Sequence, residues 1–101
     1  MTVMDFEWDE QKRLANLAKH GIDFELAEGI FGAPTIEFPD KRQDYGELRI
    51  GAYGEVSGIV LFVIYTPRDT KRRLISARRA STQERNFYRS RMAAGGEDND
   101  G

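Results

Sequence analysis

The stretch Gly58-Ile-Val-Leu-Phe-Val-Ile-Tyr65 decides the fold of this chain. From Ile59 to Tyr65 every side chain is apolar or aromatic, and most are β-branched. The run is too short to span a bilayer as a helix, which takes about 20 residues. A run of this kind is typical of a strand that is buried on both faces. We therefore predict that it forms the centre of a β-sheet.

The sequence after this strand predicts a hairpin and then a helix. Thr66–Thr70 contains a proline and an aspartate, which favour a turn. Lys71–Arg79 returns as a second strand. Its predicted faces are Arg72, Leu74, Ser76 and Arg78 on one side and Arg73, Ile75, Ala77 and Arg79 on the other. Ser81-Thr-Gln-Glu84 has the form of a capping box, so a helix is expected from there to about Met92.

Two helices are predicted near the amino terminus. Asp9 is a good N-cap for the first, which runs to about His20 before Gly21 ends it. Asp23 caps the second helix, which ends at residues 32–34. The apolar stripes that we expect to be buried are Leu14, Leu17 and Ala18 in the first helix and Phe24, Ala27, Ile30 and Phe31 in the second.

Three further strands complete the predicted fold. Phe6–Trp8 is expected at an edge, and Thr35–Phe38 begins a meander. In Glu47–Tyr53 the residues alternate, with Leu48, Ile50 and Ala52 on one face and Glu47, Arg49 and Tyr53 on the other. The order is thus β-α-α, an antiparallel meander of about four strands, and a C-terminal helix, which makes an α+β domain. We expect this domain over residues 1–94 and a disordered acidic tail over 95–101.

The composition indicates one globular domain. The chain has 101 residues, of which 40% are hydrophobic and 32% charged, which suits a single core. No cysteine is present, so disulfides, thiolate metal ligands and cysteine nucleophiles are excluded. Met1–Glu10 lacks the basic and apolar regions of a signal peptide. We therefore expect a cytoplasmic protein with no membrane segment.

The charges are unevenly distributed along the chain. The net charge is −2, yet residues 68–91 hold nine basic and two acidic side chains, a local charge of +7. Residues 1–67 hold six basic and twelve acidic side chains, and the tail adds three acids. Eight of the nine late cations are arginines, which bind phosphate or carboxylate through two parallel hydrogen bonds. This asymmetry indicates a polyanionic partner, although a solvated face paired with the acidic half is the alternative.

Several kinds of catalytic site do not fit the sequence. It has one histidine, no cysteine and no carboxylates at metal-binding spacing, so neither a metal nor another cofactor is expected. The G-x-S-x-G motif of serine hydrolases is absent. Gly51–Gly54 is not a phosphate-binding loop, because no G-K-[ST] follows it.

The arginines near the second strand of the hairpin predict a surface that binds RNA. One set of these arginines, either Arg72 with Arg78 or Arg73 with Arg79, is expected on it beside Arg49 and Tyr53. Guanidinium groups bind phosphates, and tyrosine rings stack on unpaired bases. Such a surface could cleave RNA without a metal ion. His20 would be the acid or base, because imidazole gains and loses a proton near neutral pH. Alternatively, His20 covers the last carbonyls of its helix and Tyr65 is a residue at the rim of the core.

Several segments resemble the BrnT toxin family. They are Phe6-Glu-Trp-Asp9, Lys19-His-Gly21 followed by Phe24-Glu-x-Ala27, Val63-Ile-Tyr-Thr66, and Ile75-Ser-Ala-Arg-Arg-Ala80 with Glu84, Arg85 and Tyr88. The Ile75–Ala80 segment together with the Trp-Asp and Lys-His-Gly segments is specific, whereas neither alone would be. The resemblance covers residues 5 to about 90.

The resemblance implies a RelE-like ribonuclease fold and the toxin role in a type II toxin–antitoxin pair. It implies that the chain cuts RNA and thereby blocks translation. The expected partner is a BrnA-like antitoxin with a ribbon-helix-helix DNA-binding part, which neutralises the toxin in a hetero-oligomer. That complex would repress its own operon, so operator DNA is contacted only through the antitoxin.

The resemblance also indicates site residues. It assigns catalysis to Lys19, His20, Arg78 and Arg79. Together with the charge pattern, it predicts RNA-binding residues at Arg49, Tyr53, Tyr65, Arg72 and Arg85. Which group abstracts the proton is left open, because related folds differ in their catalytic residues.

Two other classes of function stay open from the residues alone. The same arginine-rich surface could belong to a non-catalytic module that binds an acidic protein segment or nucleic acid. A DNA-binding domain fits less well, because the C-terminal helix has no helix-turn-helix partner beside it.

Overall fold

The computed structural model describes residues 5–42 and 44–98, which form one five-stranded sheet with helices packed against it. The elements in chain order are β1 (Asp5–Trp8), α1 (Glu10–His20), α2 (Phe24–Ala27), a 3₁₀ helix (Glu28–Gly32), β2 (Ile36–Pro39), β3 (Ile50–Val56), β4 (Ile59–Arg68), β5 (Lys71–Arg79) and α3 (Thr82–Asp98). The predicted α+β class and the element order are confirmed.

Strand β4 is the central strand of the sheet, as its apolar sequence predicts. The strand order is β1-β5-β4-β3-β2, and residues 60–66 of β4 are all buried. Strands β2 to β5 pair antiparallel, which confirms the predicted meander. The edge strand β1 lies parallel to the first part of β5. The centre of the sheet is therefore a buried and largely apolar strand.

The core lies between this sheet and residues 22–30, which include α2 and the start of the 3₁₀ helix. Its largest fully buried side chains are Ile22, Phe24, Ile30, Leu61, Val63 and Leu74. Burial of each large apolar side chain stabilises the folded state by about 1.5–3 kcal/mol. The apolar stripe predicted for the second helix is thus confirmed at Phe24, Ala27 and Ile30, although a 3₁₀ helix carries its last part.

The apolar stripe predicted for α1 is wrong. Leu14 and Leu17 are 50% and 38% exposed, and Ala18 is exposed as well. The buried residue of this helix is Asn16, which is 7% exposed. The helix is rotated relative to the prediction because hydrogen bonds of Asn16, rather than leucine side chains, hold it against the sheet.

The ends of several elements differ from the prediction. Strand β3 begins at Ile50 rather than at 47, and the preceding Leu48 is 57% exposed. The predicted turn over 66–70 contracts to two residues, because Pro67 still pairs within the sheet and Asp69 adopts the left-handed conformation with φ of 57°. Helix α3 continues to Asp98, well past the expected end near Met92. The last three residues of the predicted tail lie outside the described residues.

The predicted faces of β5 are also wrong, because the strand contains a bulge. Ser76 pairs with Ile64, but the next pair is Tyr65 with Leu74, so one residue is left without a partner. The bulge allows Leu74 and Ala77, at odd spacing, to be buried in the same core. As a result, residues 72 and 78 lie on opposite faces of the sheet.

Candidate functional site

The position of α1 depends on the side-chain amide of Asn16. Strand β1 pairs only with residues 71–74 of β5, so the rest of that edge of β5 lacks a neighbouring strand. Asn16 bonds to this edge in both directions: its Nδ2 donates to the Ala77 carbonyl at 2.8 Å, and its Oδ1 accepts from the Ala77 amide at 3.1 Å. Nδ2 also donates to the Ile22 carbonyl at 2.9 Å. One side chain thus fixes the helix on the sheet edge.

A basic groove lies between α1 and β5. It has a volume of about 210 Å³ and is lined by Lys12, Ala15, Asn16, Lys19 and His20 from the helix and by Ile75 and Ser76 from the strand. The helical residues recur at the spacing of one helix face. The groove therefore holds two lysines and the imidazole of His20, and none of the described residues that line it is acidic.

The neighbouring face of the sheet carries a second polar cluster. We call the face opposite α1 and α2 the outer face; Tyr53, Phe62 and Arg78 lie on it. Arg78 donates two hydrogen bonds to Glu84, at 2.8 and 3.0 Å, and its guanidinium lies 4.8 Å from the centre of the Phe62 ring. Tyr53 donates its hydroxyl proton to the same carboxylate at 2.7 Å. The carboxylate thus joins β3, β5 and the start of α3.

Glu84 also completes the capping box that the sequence predicts. Its Oε1 accepts from the Ser81 amide at 2.8 Å, and the Ser81 hydroxyl accepts from the Glu84 amide at 3.1 Å. The hydrogen bonds from Arg78, with those from Ser81 and Tyr53, hold the pKa of Glu84 well below its usual range. Burial and the hydrogen bond to Glu84 raise the pKa of Tyr53 to about 12. The cluster therefore keeps one negative and one positive charge at neutral pH.

The lowered pKa of Glu84 predicts a loss of stability in acid. The carboxyl group ionises more readily in the folded chain than in the unfolded chain, where its pKa is about 4.3. The stabilisation that the Glu84 carboxylate gives to the folded chain is therefore present above that pH. It is lost as the pH falls through the pKa that Glu84 has in the folded chain. Urea unfolding at pH 7 and pH 3 should show that Glu84→Gln destabilises the protein at pH 7 and that the gap to wild type narrows at pH 3. Glu25→Gln, at an exposed position, is the control; an unchanged gap for Glu84→Gln would contradict the prediction.

Arg79 and Arg85 lie together at a different place. They line a cavity of about 130 Å³ with residues 58–60 and Ala80, at the end of β5 and the start of α3. Within residues 5–42 and 44–94, whose side chains the structure describes, neither arginine has a salt-bridge partner. This cavity therefore offers two guanidinium groups to an anion from outside.

The remaining predicted residues are spread over the sheet. Tyr65 is 6% exposed, donates to Glu37 and packs against Phe31 in the core. The guanidinium of Arg72 lies 4.2 Å and 5.2 Å from the centres of the Phe31 and Tyr65 rings. Arg49 precedes β3, pairs with Glu47 at 3.4 Å and lies over the ring of Tyr45. The ring of Tyr65 thus belongs to the hydrophobic core and is not open to a base of RNA.

The structure divides the nine predicted site residues into separate groups. Lys19 and His20 share the basic groove, Arg79 and Arg85 share the smaller cavity, and Arg78 joins Tyr53 through Glu84. Sequence reasoning did not assign Asn16 or Glu84 to the site. The signal for Asn16 was the spacing of residues 12, 15, 16, 19 and 20 along one helix face; Glu84 was recognised only as a helix cap.

The described part of the chain was also compared with the requirements of metal sites and of membrane-spanning helices. Among the residues that the structure describes, no three His, Asp or Glu side chains gather in a way that could hold a metal ion. In the same part of the chain, no helix is long and apolar enough to cross a bilayer.

Comparison with known proteins identifies the family. Residues 8–84 match the model of the ribonuclease toxin BrnT of type II toxin–antitoxin systems. The crystal structure of the ribonuclease toxin BrnT of Brucella abortus is similar to 79% of this chain and to all of its own, with a TM-score of 0.63 and 37% sequence identity. A comparison with curated proteins gave no significant match. The chain therefore belongs to the BrnT family and is a ribonuclease toxin of a type II toxin–antitoxin system.

Proposed function

We propose that the chain cuts RNA internally and without a metal ion, at the basic groove between α1 and β5. The observation that supports this proposal is that His20, Lys12 and Lys19 line one groove, to which the described part of the chain contributes no acidic side chain. The lysines have no salt-bridge partner among the described residues, so their charges are available to a polyanion.

The groups of the groove suffice for cleavage through the ribose. The imidazole of His20 takes the proton from a ribose 2′-OH, and the 2′ oxygen attacks the adjacent phosphorus. The bond from phosphorus to the 5′ oxygen breaks, and that oxygen takes up a proton from water. The products are a 2′,3′-cyclic phosphate and a 5′-OH end. Lys12 and Lys19 stabilise the extra negative charge that develops on the phosphorane. Stabilisation of such charge is usually the largest single contribution to catalysis.

The arginines extend the RNA-binding surface beyond the groove. Ser76 lines the groove, and Arg78 lies two residues further along the same face of β5. The guanidinium of Arg78 is bound by Glu84, whereas Arg79 and Arg85 have no acidic partner among the side chains that the structure describes. We assign a phosphate contact to the Arg79–Arg85 pair and a supporting role near the groove to Arg78. Arg49 and Arg72 are peripheral contacts.

Incubation of the purified protein with a 5′-labelled single-stranded RNA tests the proposal. Internal cuts that leave 2′,3′-cyclic phosphate ends are expected, at an unchanged rate in excess EDTA. The ends are identified by their resistance to phosphatase until acid opens the ring. A deoxy-substituted oligonucleotide of the same sequence is the control, since it has no 2′-OH and should stay intact. Intact RNA, or loss of cleavage with EDTA, would contradict the proposed mechanism.

The antitoxin partner is also part of the proposal. We expect a BrnA-like antitoxin with a ribbon-helix-helix part, a hetero-oligomer that binds operator DNA through the antitoxin, and translation arrest in the cytoplasm when the toxin is free. The acidic and basic halves of the chain support a partner with complementary charge. Co-expression with the product of the adjacent gene and recovery of a complex without RNA cleavage is the expected result.

A further inference from the structure

Four aromatic rings form a continuous cluster on the outer face. The ring centres of Tyr53 and Phe62 are 4.8 Å apart, and Phe38 lies 5.8 Å from the first and 6.1 Å from the second. Phe87 of α3 adds a fourth ring, 6.3 Å from Tyr53. The inner rings are largely covered, but Phe38 is 39% exposed and Phe87 is 44% exposed. Two large rings on one face thus remain open to solvent.

The backbone of β3 is shaped to receive these rings. A Cβ atom at Gly51 would lie 2.9 Å from two atoms of the Phe62 ring and 3.2 Å from the Phe38 ring. Those distances are too short for any other residue, so glycine allows the rings to lie against the strand. The rings of Phe38 and Phe62 are close to parallel, at 21°. The rings therefore pack in a fixed arrangement against one another and against the backbone of β3.

Guanidinium groups border the rings on two sides; that of Arg78 is paired with Glu84, whereas Arg91 has no salt-bridge partner among residues 5–42 and 44–94. The guanidinium of Arg78 lies over Phe62, and that of Arg91 lies 5.6 Å from the centre of Phe87. Exposed aromatic rings flanked by guanidinium groups suit a chain with flat apolar bases and negative phosphates. An apolar protein segment would use the rings but would gain nothing from the bordering cations. The charge pattern therefore favours RNA as the occupant.

We propose that Phe38 and Phe87 stack on unpaired bases of the RNA, so that the enzyme selects single-stranded RNA with little preference for base identity. This inference rests on the proposed function, because it takes RNA as the substrate of the same site. The outer face begins beside the basic groove at Ser76 and continues across Arg78 to the rings. A strand cut in the groove would thus extend over the rings.

Binding of 2′-O-methyl oligonucleotides tests the inference, since they bind without being cut. Fluorescence anisotropy would compare a single strand, the same strand with abasic sites and a duplex. Phe38→Leu and Phe87→Leu should each weaken binding of the intact single strand by at least about 5-fold, the lower end of what one stacked base contributes. Phe38→Tyr and Phe87→Tyr keep the ring and should bind like wild type. The slope of binding against salt should be unchanged in all four variants, because no charge is removed.

The abasic strand separates stacking from damage to the fold. Wild type should bind it more weakly than the intact strand, and the leucine variants should show a smaller difference between the two. Equal binding of intact and abasic strands by wild type would overturn the inference and leave the cleavage proposal standing. The same holds if the leucine variants lose only the antitoxin, which would make the rings a protein-docking surface. No binding of any strand by wild type would overturn both proposals.

Discussion

Replacing Asn16 with leucine is expected to lower the free energy of unfolding by about 3–5 kcal/mol, because each buried polar group left without a partner costs about 1–3 kcal/mol. The substitution removes all three hydrogen bonds of the side-chain amide. It leaves the Ala77 amide, the Ala77 carbonyl and the Ile22 carbonyl without that partner in a buried place. Leucine has a similar volume, so neither a cavity nor overpacking accounts for the loss.

Thermal unfolding measures this effect against a matched control. For a domain of this size the expected loss corresponds to a fall in Tm of roughly 15–30 °C. Asn86→Leu changes the same residue type at an exposed position of α3 and carries the same gain in helix propensity. It should change Tm by only a few degrees. If the two variants melted together, the amide bonds to β5 would not be what holds α1 in place.

The sequence predicted correctly those features of the structure that depend on residues close together in the chain. The apolar run of β4, the caps at Asp9 and Asp23 and the capping box at Ser81 each depend on a few neighbouring residues, and all are confirmed. The orientation of α1 was predicted wrongly because it depends on a contact between residues that are 61 positions apart. Leucine side chains are usually buried. Here the unpaired amide and carbonyl groups at the open edge of β5 require hydrogen-bond partners, so Asn16 is buried instead.

The bulge in β5 explains why the predicted surface could not be read from alternation alone. A strict period of two places residues 72 and 78 on one face, but a single extra residue reverses the alternation beyond it. The pairing of Arg78 with Glu84 was also hidden, since the cap and the strand were interpreted separately. The net positive charge of residues 68–91 is a count from the sequence, which does not tell which arginines are bound by acidic side chains, as Arg78 is by Glu84.

The pairing of Arg78 changes which residues matter most for the chemistry. Its guanidinium already donates two hydrogen bonds within the chain, so a phosphate would have to compete with Glu84. The lysines of the basic groove have no acidic partner in the described part of the chain, and His20 lines the same groove. The chemistry of the proposed reaction is therefore assigned to α1, with the arginines of β5 and α3 holding the RNA.

His20→Ala is expected to slow RNA cleavage by about 100- to 10,000-fold, the range that a positioned general acid or base contributes. The loss should appear in kcat rather than in RNA binding, because the neighbouring lysines still hold the phosphates. Added imidazole should restore part of the rate by entering the space that the side chain leaves. Cleavage of a 5′-labelled RNA under single-turnover conditions measures both effects.

The lysines supply the matched control for the groove. Lys19→Ala removes an exposed cation that lines it, whereas Lys41→Ala removes an exposed cation beside Asp40 and Asp44 at another place. Cleavage should fall at least tenfold in the first variant, since one charge that stabilises the phosphorane is lost, and should stay within about twofold in the second. If His20→Ala cleaved at the wild-type rate while Arg78→Ala did not, the reaction would lie on the outer face. The imidazole would then be only a polar cover for the end of α1.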